Sequence, residues 1–478
     1  MNSKGFLVIL VFISFITINV ISGPGCANMF PPEGGRRDSL PPQLLKATPP
    51  DSSKQFRTNE VTFTFDEFVQ LQDQYQNVII SPIPKNRPNI DSKLRTVTVK
   101  FRDSLEANTT YTINFGNAIK DVNEGNILKG FTYIFSTGSS FDSLTLSGKV
   151  ILAENGKIDT SLIVMLHKNP SDSAVVNEKP RYVTRVDPTG KFQFRNLPAG
   201  TFYLYALKDE GAIYQYSPKK LFAFADKPIN TEVGNDSITL YAYSSQPAVT
   251  NPFQAVPQRV VGSDKRLKLQ TNIPAGFLDL LNDFVIGFEQ KLKTLDTSKI
   301  SFSSDSSFNP ISSKQLILDS SRRKLTLHYN WKENTLYHLI IEKDFAEDSS
   351  GRKLLKTDTL SFKTKKRSEY GSLRIRWKNL DLSKSPVLLF VQNENVVRSE
   401  PLSSPDVSLP LFLPGEYELR ILYDLNKNGK WDPGQFFGKR VQPEIVMPVT
   451  SRPRITIKAN WQNEFDIEAP SSSPPKGR

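Results

Sequence analysis

Val61-Thr-Phe-Thr-Phe65 sets three apolar side chains on alternate positions with threonines between them. The same beat returns in Thr96-Val-Thr-Val-Lys-Phe101, Tyr111-Thr-Ile-Asn-Phe115 and Phe131-Thr-Tyr-Ile-Phe135. Successive side chains of a strand point to opposite faces. Period two with β-branched and aromatic residues therefore predicts antiparallel strands buried on one face. Turn-forming clusters separate the runs at the spacing of a β-sandwich. Helical periodicity is nearly absent, and Phe277-Leu-Asp-Leu-Leu281 is the best short candidate for a helix. The expected fold class is all-β.

The pattern is repeated at long range. Asn108-Thr-Thr-Tyr111 returns as Asn334-Thr-Leu-Tyr337, and Phe135-Ser-Thr137 as Phe362-Lys-Thr364. Phe63-Thr-Phe65 is echoed by Ile286-Gly-Phe288. A second unit lies between these copies. Leu197-Pro-Ala-Gly200 returns as Leu413-Pro-Gly415, each Gly is followed nine residues later by an Asp (Asp209, Asp424), and Gly148 to Val164 has the spacing of Gly371 to Val387. The order is A–B–A′–B′, with a period too long for a solenoid, which implies duplication of a two-domain block.

Composition limits the function. The 478 residues hold 61 Lys+Arg and 49 Asp+Glu, a net charge of +12, with 31 Phe, 15 Tyr, three His and one Cys. The aromatic content excludes a disordered chain, and a 38% hydrophobic content excludes a multi-span membrane protein. One Cys excludes intrachain disulfides, Cys-rich zinc sites and iron–sulfur clusters.

That Cys is Cys26. It follows Lys4, an apolar run from Phe6 to Ile21, and Ser22-Gly-Pro-Gly25. A basic start, an apolar core and small residues before a cleavage point make an export signal. The segment resembles the lipobox of bacterial lipoproteins, which implies signal removal after residue 25 and diacylglycerol on Cys26. Several acyl chains at ~0.8 kcal/mol per buried CH₂ anchor a protein stably. The alternative is an uncleaved signal anchor, since the run is nearly long enough to span. Residues 26–41, rich in Pro and Gly, read as a tether.

In unit A, Thr48-Pro-Pro-Asp51, Phe63-Thr-Phe65, Asn108-Thr-Thr-Tyr111, Ile119-Lys-Asp-Val-Asn-Glu-Gly-Asn126 and Phe135-Ser-Thr137 follow in order. This resembles the bacterial surface Ig-like domain of the SbsA type, over about 41–138 and, more weakly, 265–364. Leu105 and Tyr111 are six apart, as are Trp331 and Tyr337. That spacing resembles a tyrosine corner, so Tyr111 and Tyr337 read as structural. In unit B, Asp187-Pro-Thr-Gly190 through Leu197-Pro-Ala-Gly200 to Tyr205 resembles the prealbumin-like sandwich found beside carboxypeptidases and in surface adhesins. The resulting map is 1–25 signal peptide, 26–41 tether, 42–139 A, 142–244 B, 253–366 A′, 369–465 B′ and 466–478 disordered tail.

Candidates for chemistry are few. No nucleophile-elbow, zincin, P-loop or dinucleotide motif occurs. His167, His328 and His338 read as ordinary strand residues. The sharpest signal is Asp424-Leu-Asn-Lys-Asn-Gly-Lys-Trp-Asp432. Asp424, Asn426, Asn428 and Asp432 stand at positions 1, 3, 5 and 9 of a calcium loop, with the Lys430 carbonyl at 7 and Gly429 at the sharp turn. Gln435 stands where a bidentate Glu belongs. The motif reads equally as a weak Ca²⁺ site or a metal-free Asx turn. Basic residues gather late, at Arg322-Arg-Lys324, Arg352-Lys353, Lys365-Lys-Arg367, Arg374 and Arg376. They read as solvated sheet faces or as contacts to anionic envelope glycans, lipid headgroups or other envelope proteins. Nucleic acid is not expected.

The expected function is a lipid-anchored envelope protein, outer-membrane rather than inner, with a binding, spacing or scaffolding role and no catalytic activity. The alternatives are a glycan-binding accessory protein or adhesin, and then a carboxylate-based glycoside hydrolase. A planar row of exposed Trp or Tyr would favour the glycan reading. A cleft with paired buried carboxylates would favour the hydrolase.

Overall fold

A computed structural model describes residues 37–209, 211–233, 238–245, 266–304 and 307–470. The chain is all-β, and its only α-helical turns among these residues are Gln74–Asn77 and Ala174–Asn177. In A, the strands Leu44–Thr48, Glu60–Phe65, Thr96–Lys100 and Asn89–Lys93 form one antiparallel sheet in that order. Thr132–Ser136, Thr110–Asn114 and Ile79–Ser81 form the second. Pairing of Val61 with Val99 and Phe63 with Val97 turns these side chains inward to meet Ile113, Tyr133 and Phe135.

A′ repeats this order strand for strand. Leu269–Thr271, Phe284–Phe288, Lys324–His328 and Gln315–Leu318 form one sheet; Asp358–Thr364, Leu336–Ile341 and Ile300–Ser303 continue the other. Phe277–Leu278, the candidate helix, is instead a short strand parallel to Lys363-Thr364. Leu278 enters the A′ core while Phe277 stays exposed, so the alternation that governs the rest of the chain also governs this segment.

B and B′ share a second topology. Lys191–Leu197, Leu144–Leu152 and Ile238–Ala242 make a mixed sheet in B, the last pair being parallel. Asp406–Phe412, Gly371–Lys378 and Gln462–Glu468 make its counterpart in B′. The second sheet runs Tyr182–Arg185, Leu162–His167, Thr201–Lys208, Phe222–Phe224 in B. In B′ it runs Asn395–Pro401, Pro386–Gln392, Gly415–Tyr423, Ile445–Pro448. Gly148 and Gly371 occupy equivalent places. A Cβ on either would strike a neighbouring carbonyl, that of Ile238 or of Lys458. Close backbone approach fixes both glycines.

The last strand runs to Glu468, three residues into the segment read as tail from 466. Parallel pairing of Phe465–Glu468 with Ile375–Lys378 holds it, and Ile467 is buried in the B′ core. Residues 1–36 and 471–478, with Cys26, lie outside the described residues.

Four separate apolar cores fill the sandwiches, one per module. A fifth lies between modules, and a sixth covers the outer face of the B′ sheet. Leu162–His167 is buried at every position. Leu162, Val164 and Leu166 face the B core; Ile163 and Met165 face outward into a cluster completed by Phe436 of B′.

Candidate functional site

The candidate calcium loop lies beside the joint between B and B′. The excursion from Asp424 to Glu444, between two B′ strands, reaches across to B. Its tip inserts Phe436, 2% exposed, with ring centroids 5.0 Å from Phe224, 5.1 Å from Phe222 and 5.7 Å from Tyr205. Gly434 allows the approach, since a Cβ there would lie 2.8 Å from the Tyr243 ring and from the Val441 carbonyl oxygen. A polar rim surrounds this contact. Arg440 Nε pairs with Asp172 at 2.9 Å, Gln442 Nε2 donates to the Phe224 carbonyl at 3.0 Å, and Val446 N donates to the Ala153 carbonyl at 2.8 Å.

The candidate calcium loop forms the base of that excursion. Asp424, 2% exposed, accepts from the Asn428 amide at 3.2 Å and the Gly429 amide at 2.6 Å. Asn426 Oδ1 accepts from Asn428 N at 3.0 Å, and Asn428 Oδ1 from Lys430 N at 2.7 Å. Both carboxamide nitrogens donate to Asp432 Oδ2, each at 2.6 Å. In this arrangement the Asn oxygens accept from backbone amides and the NH₂ groups donate to the carboxylate. Glu444, which the motif does not include, closes the loop: its carboxylate accepts from Leu425 N at 2.8 Å and Asp432 N at 3.0 Å. Burial pushes its carboxyl above the usual range, against the amide bonds that lower it. Asp209 does the same in B, accepting from Ile213 N at 3.3 Å and Tyr214 N at 3.1 Å. Both copies thus use the Asp as an Asx-type cap on the loop that docks on a neighbour. Asp424→Ala is expected to destabilise B′ by about 1–3 kcal/mol, the cost of leaving buried amides unpaired. The loss should be equal in millimolar calcium and in chelator. A calcium-dependent rise in the wild-type Tm that the variant abolishes would overturn this and establish the cation site.

The other buried carboxylates are similarly engaged. Asp121 accepts from the amides of Glu124, Gly125 and Asn126, and Asp348 from those of Ser350 and Arg352. Tyr111 Oη accepts from Glu106 N at 3.0 Å, and Tyr337 Oη from Lys332 N at 3.2 Å, each five residues upstream. Much of the late basic surplus is paired: Arg374 with Asp406, Arg376 with Glu464 and Asp466, Arg352 with Asp348, Lys353 with Glu347. Of the four Trp, only Trp461 is exposed, at 63%. Trp431 is wedged at the B–B′ joint, donating to the Glu444 carbonyl at 2.8 Å, so the Trp residues form no planar row.

The A–B joint is tied by backbone and by charge. Ile83 N donates to the Arg181 carbonyl at 2.9 Å, and Arg181 clamps Glu106 with its two terminal guanidinium nitrogens. Thr110 and Asp142 exchange bonds across the same junction. A′ and B′ meet where Tyr370 Oη donates to Asp279 at 2.7 Å and accepts from Leu280 N. Burial and that carboxylate push the Tyr370 hydroxyl pKa up.

Residues 38–137 match the bacterial Ig-like domain family. The match covers the segment on which the Ig-like resemblance rests. No curated protein matches the chain. Among solved structures it is similar to an L,D-transpeptidase from Mycobacterium smegmatis, at 13% identity over 34% of this chain and 60% of that one, TM-score 0.16. It is similar to BcpA, the major pilin subunit of Bacillus cereus, at 11% identity over 68% and 99%, TM-score 0.16. It is also similar to the N-terminal part of the bacterial S-layer protein SbsC, at 16% identity over 35% and 40%, TM-score 0.15. At such scores the likenesses carry no argument, and the all-β assignment rests on the strands themselves. Among the described residues no helix is long and apolar enough to cross a membrane.

Proposed function

We propose that this chain is an exported, lipid-anchored scaffold of the bacterial envelope that holds sandwich modules in fixed relation. One observation carries the reading: the loops and buried carboxylates where a catalyst would keep free groups are taken up by caps and joints. Asp121, Asp348, Asp424 and Glu444 each bind backbone amides, and the longest excursion in B′ ends in an apolar plug on B. The Ig-like match and the export signal ending at Cys26 support the address. The anchor has a direct test. Cys26→Ser is expected to move the protein from the membrane to the soluble fraction and to abolish labelling by a palmitate analogue. Wild-type protein that takes no label would overturn the anchor.

A further inference from the structure

The end of A that lies away from B carries an apolar patch beside the point where the tether enters. In the strand Thr110–Asn114, Thr110 bonds Asp142 at the joint with B, while Asn114 at the other end pairs with Thr132. Phe131 packs on Phe65 at 6.2 Å, and Phe65 N donates to the Arg95 carbonyl. The loops that follow Phe65 and Lys93 therefore form the pole of A distal to the joint. Val122 N donates to the Phe68 carbonyl at 3.0 Å and Val69 N to the Leu94 carbonyl at 2.9 Å, which gathers Phe68, Leu94 and Val122 from three loops. Their side chains are 44%, 67% and 50% exposed. We propose that this pole sits on a lipid bilayer with Phe68, Leu94 and Val122 in the headgroup–acyl boundary, a reading that presupposes the anchor at Cys26 proposed above.

The second copy of the domain shows that the fold does not require this patch. In A′, Ser349 N donates to the Lys291 carbonyl and Leu292 N to the Arg322 carbonyl, the same two bonds at the same places. Leu94 and Arg322 even share left-handed backbone, at φ 54° and 56°. The positions held by Phe68, Leu94 and Val122 in A are thus Lys291, Arg322 and Ser349 in A′, all exposed. Only the copy next to the tether exposes apolar side chains there, and a cluster of exposed apolar side chains marks a contact surface.

The chain entry says which surface. Arg37 donates to the Glu124 carbonyl at 3.0 Å and Asn126 Nδ2 to the Asp38 carbonyl at 3.1 Å, so the chain enters A at this pole. Cys26 precedes Arg37 by 11 residues. At ~3.3–3.6 Å per extended residue, the pole can stand no more than about 40 Å from the anchor. Charge around the patch is mixed, with Asp66, Glu67 and Glu124 against Lys93 and Arg95. Apolar burial, not attraction to anionic headgroups, would hold the contact. The Arg95 guanidinium lies 5.4 Å over the Phe68 ring, an apolar body with a charged tip that suits the headgroup level.

The test uses the mature chain with Cys26→Ser and a hexahistidine tag before residue 26. Nickel-chelating lipid in phosphatidylcholine vesicles then holds it whether or not the native chain is acylated. Leu94→Cys supplies the one thiol, for an environment-sensitive fluorophore. On the vesicles its emission should shift to the blue and be quenched by spin-labelled lipid, at high salt as at low. The same fluorophore at Arg322→Cys, the matching place in A′, should do neither. Phe68→Lys/Val122→Ser, which gives A the residues of A′, should lower the ratio of inserted to free pole about tenfold or more. No shift at Leu94, or equal shifts at both places, would overturn the proposal and leave the anchor standing. Wild-type protein that takes no palmitate label would remove the anchor without changing the outcome on tagged vesicles. A shift that needs anionic lipid and vanishes at high salt would overturn the apolar contact. One that grows with protein concentration in the absence of vesicles would give the patch to a second copy of the chain and overturn the lipid assignment.

Discussion

Phe436→Ala is expected to uncouple B from B′. In the wild type these two modules should unfold in one calorimetric transition, because an apolar core lies between them. Inter-domain contacts are usually small and polar, and modules joined that way melt separately. Here Ile163, Met165, Tyr205, Phe222 and Phe224 of B meet Phe436 of B′ in a buried cluster, and Arg440, Gln442 and Val446 bond across its rim. Truncating a buried Phe costs about 3–5 kcal/mol through lost transfer energy and a residual cavity. That loss falls on the joint, since each module keeps its own core. The single transition should split in two, with far-UV circular dichroism unchanged at 25 °C. Phe437→Ala, at a ring 37% exposed, serves as the milder control. Two separate wild-type transitions for B and B′, or identical thermograms in wild type and Phe436→Ala, would sink the coupling.

Four turn-separated modules would by themselves be expected to unfold independently, and the buried B–B′ cluster predicts otherwise for this pair. Its signal is present in the sequence, though not its partner. Leu162-Ile-Val-Met-Leu166 and Val387-Leu-Leu-Phe-Val391 break the alternation seen elsewhere, and an unbroken apolar run means burial on both faces. Such a run says that the outer face is covered. It does not say by what, and the cover comes from Phe436, some 270 residues beyond Ile163. The strands and the A–B–A′–B′ duplication were legible because local period two and internal self-similarity need no long-range knowledge. The charge reading suffered as the joint did. Arg374 meets Asp406 only through the register of Gly371–Lys378 with Asp406–Phe412, which spacing alone does not supply. Glu444 was missed for a related reason. It lies outside the nine-residue motif and joins the loop by folding back over it.

The acid sensitivity of B should trace to one imidazole. His167 follows Ile163 and Met165 at period two, so it points to the outer face of its sheet, against the Tyr205 ring at 5.7 Å. Burial there pushes it down to about 4, and the negative charge of Glu178 offsets only part of that. The unfolded chain leaves it near 6.5. Between those values the unfolded state binds more protons than the native one, so stability rises with pH across this window and falls on acidification through it. From pH 7 to pH 5 the expected loss is about 2 kcal/mol, since each tenfold difference in proton affinity between the two states is worth about 1.4 kcal/mol. Carboxylates elsewhere also titrate toward acid, so the decisive quantity is a difference. His167→Gln keeps a polar side chain of similar reach and cannot protonate. Its urea midpoint for the B–B′ transition should change between pH 7 and pH 5 by about 2 kcal/mol less than the wild-type value, once multiplied by m. Parallel pH profiles in the two proteins would show that His167 binds its proton equally well in both states and is not the source of the sensitivity.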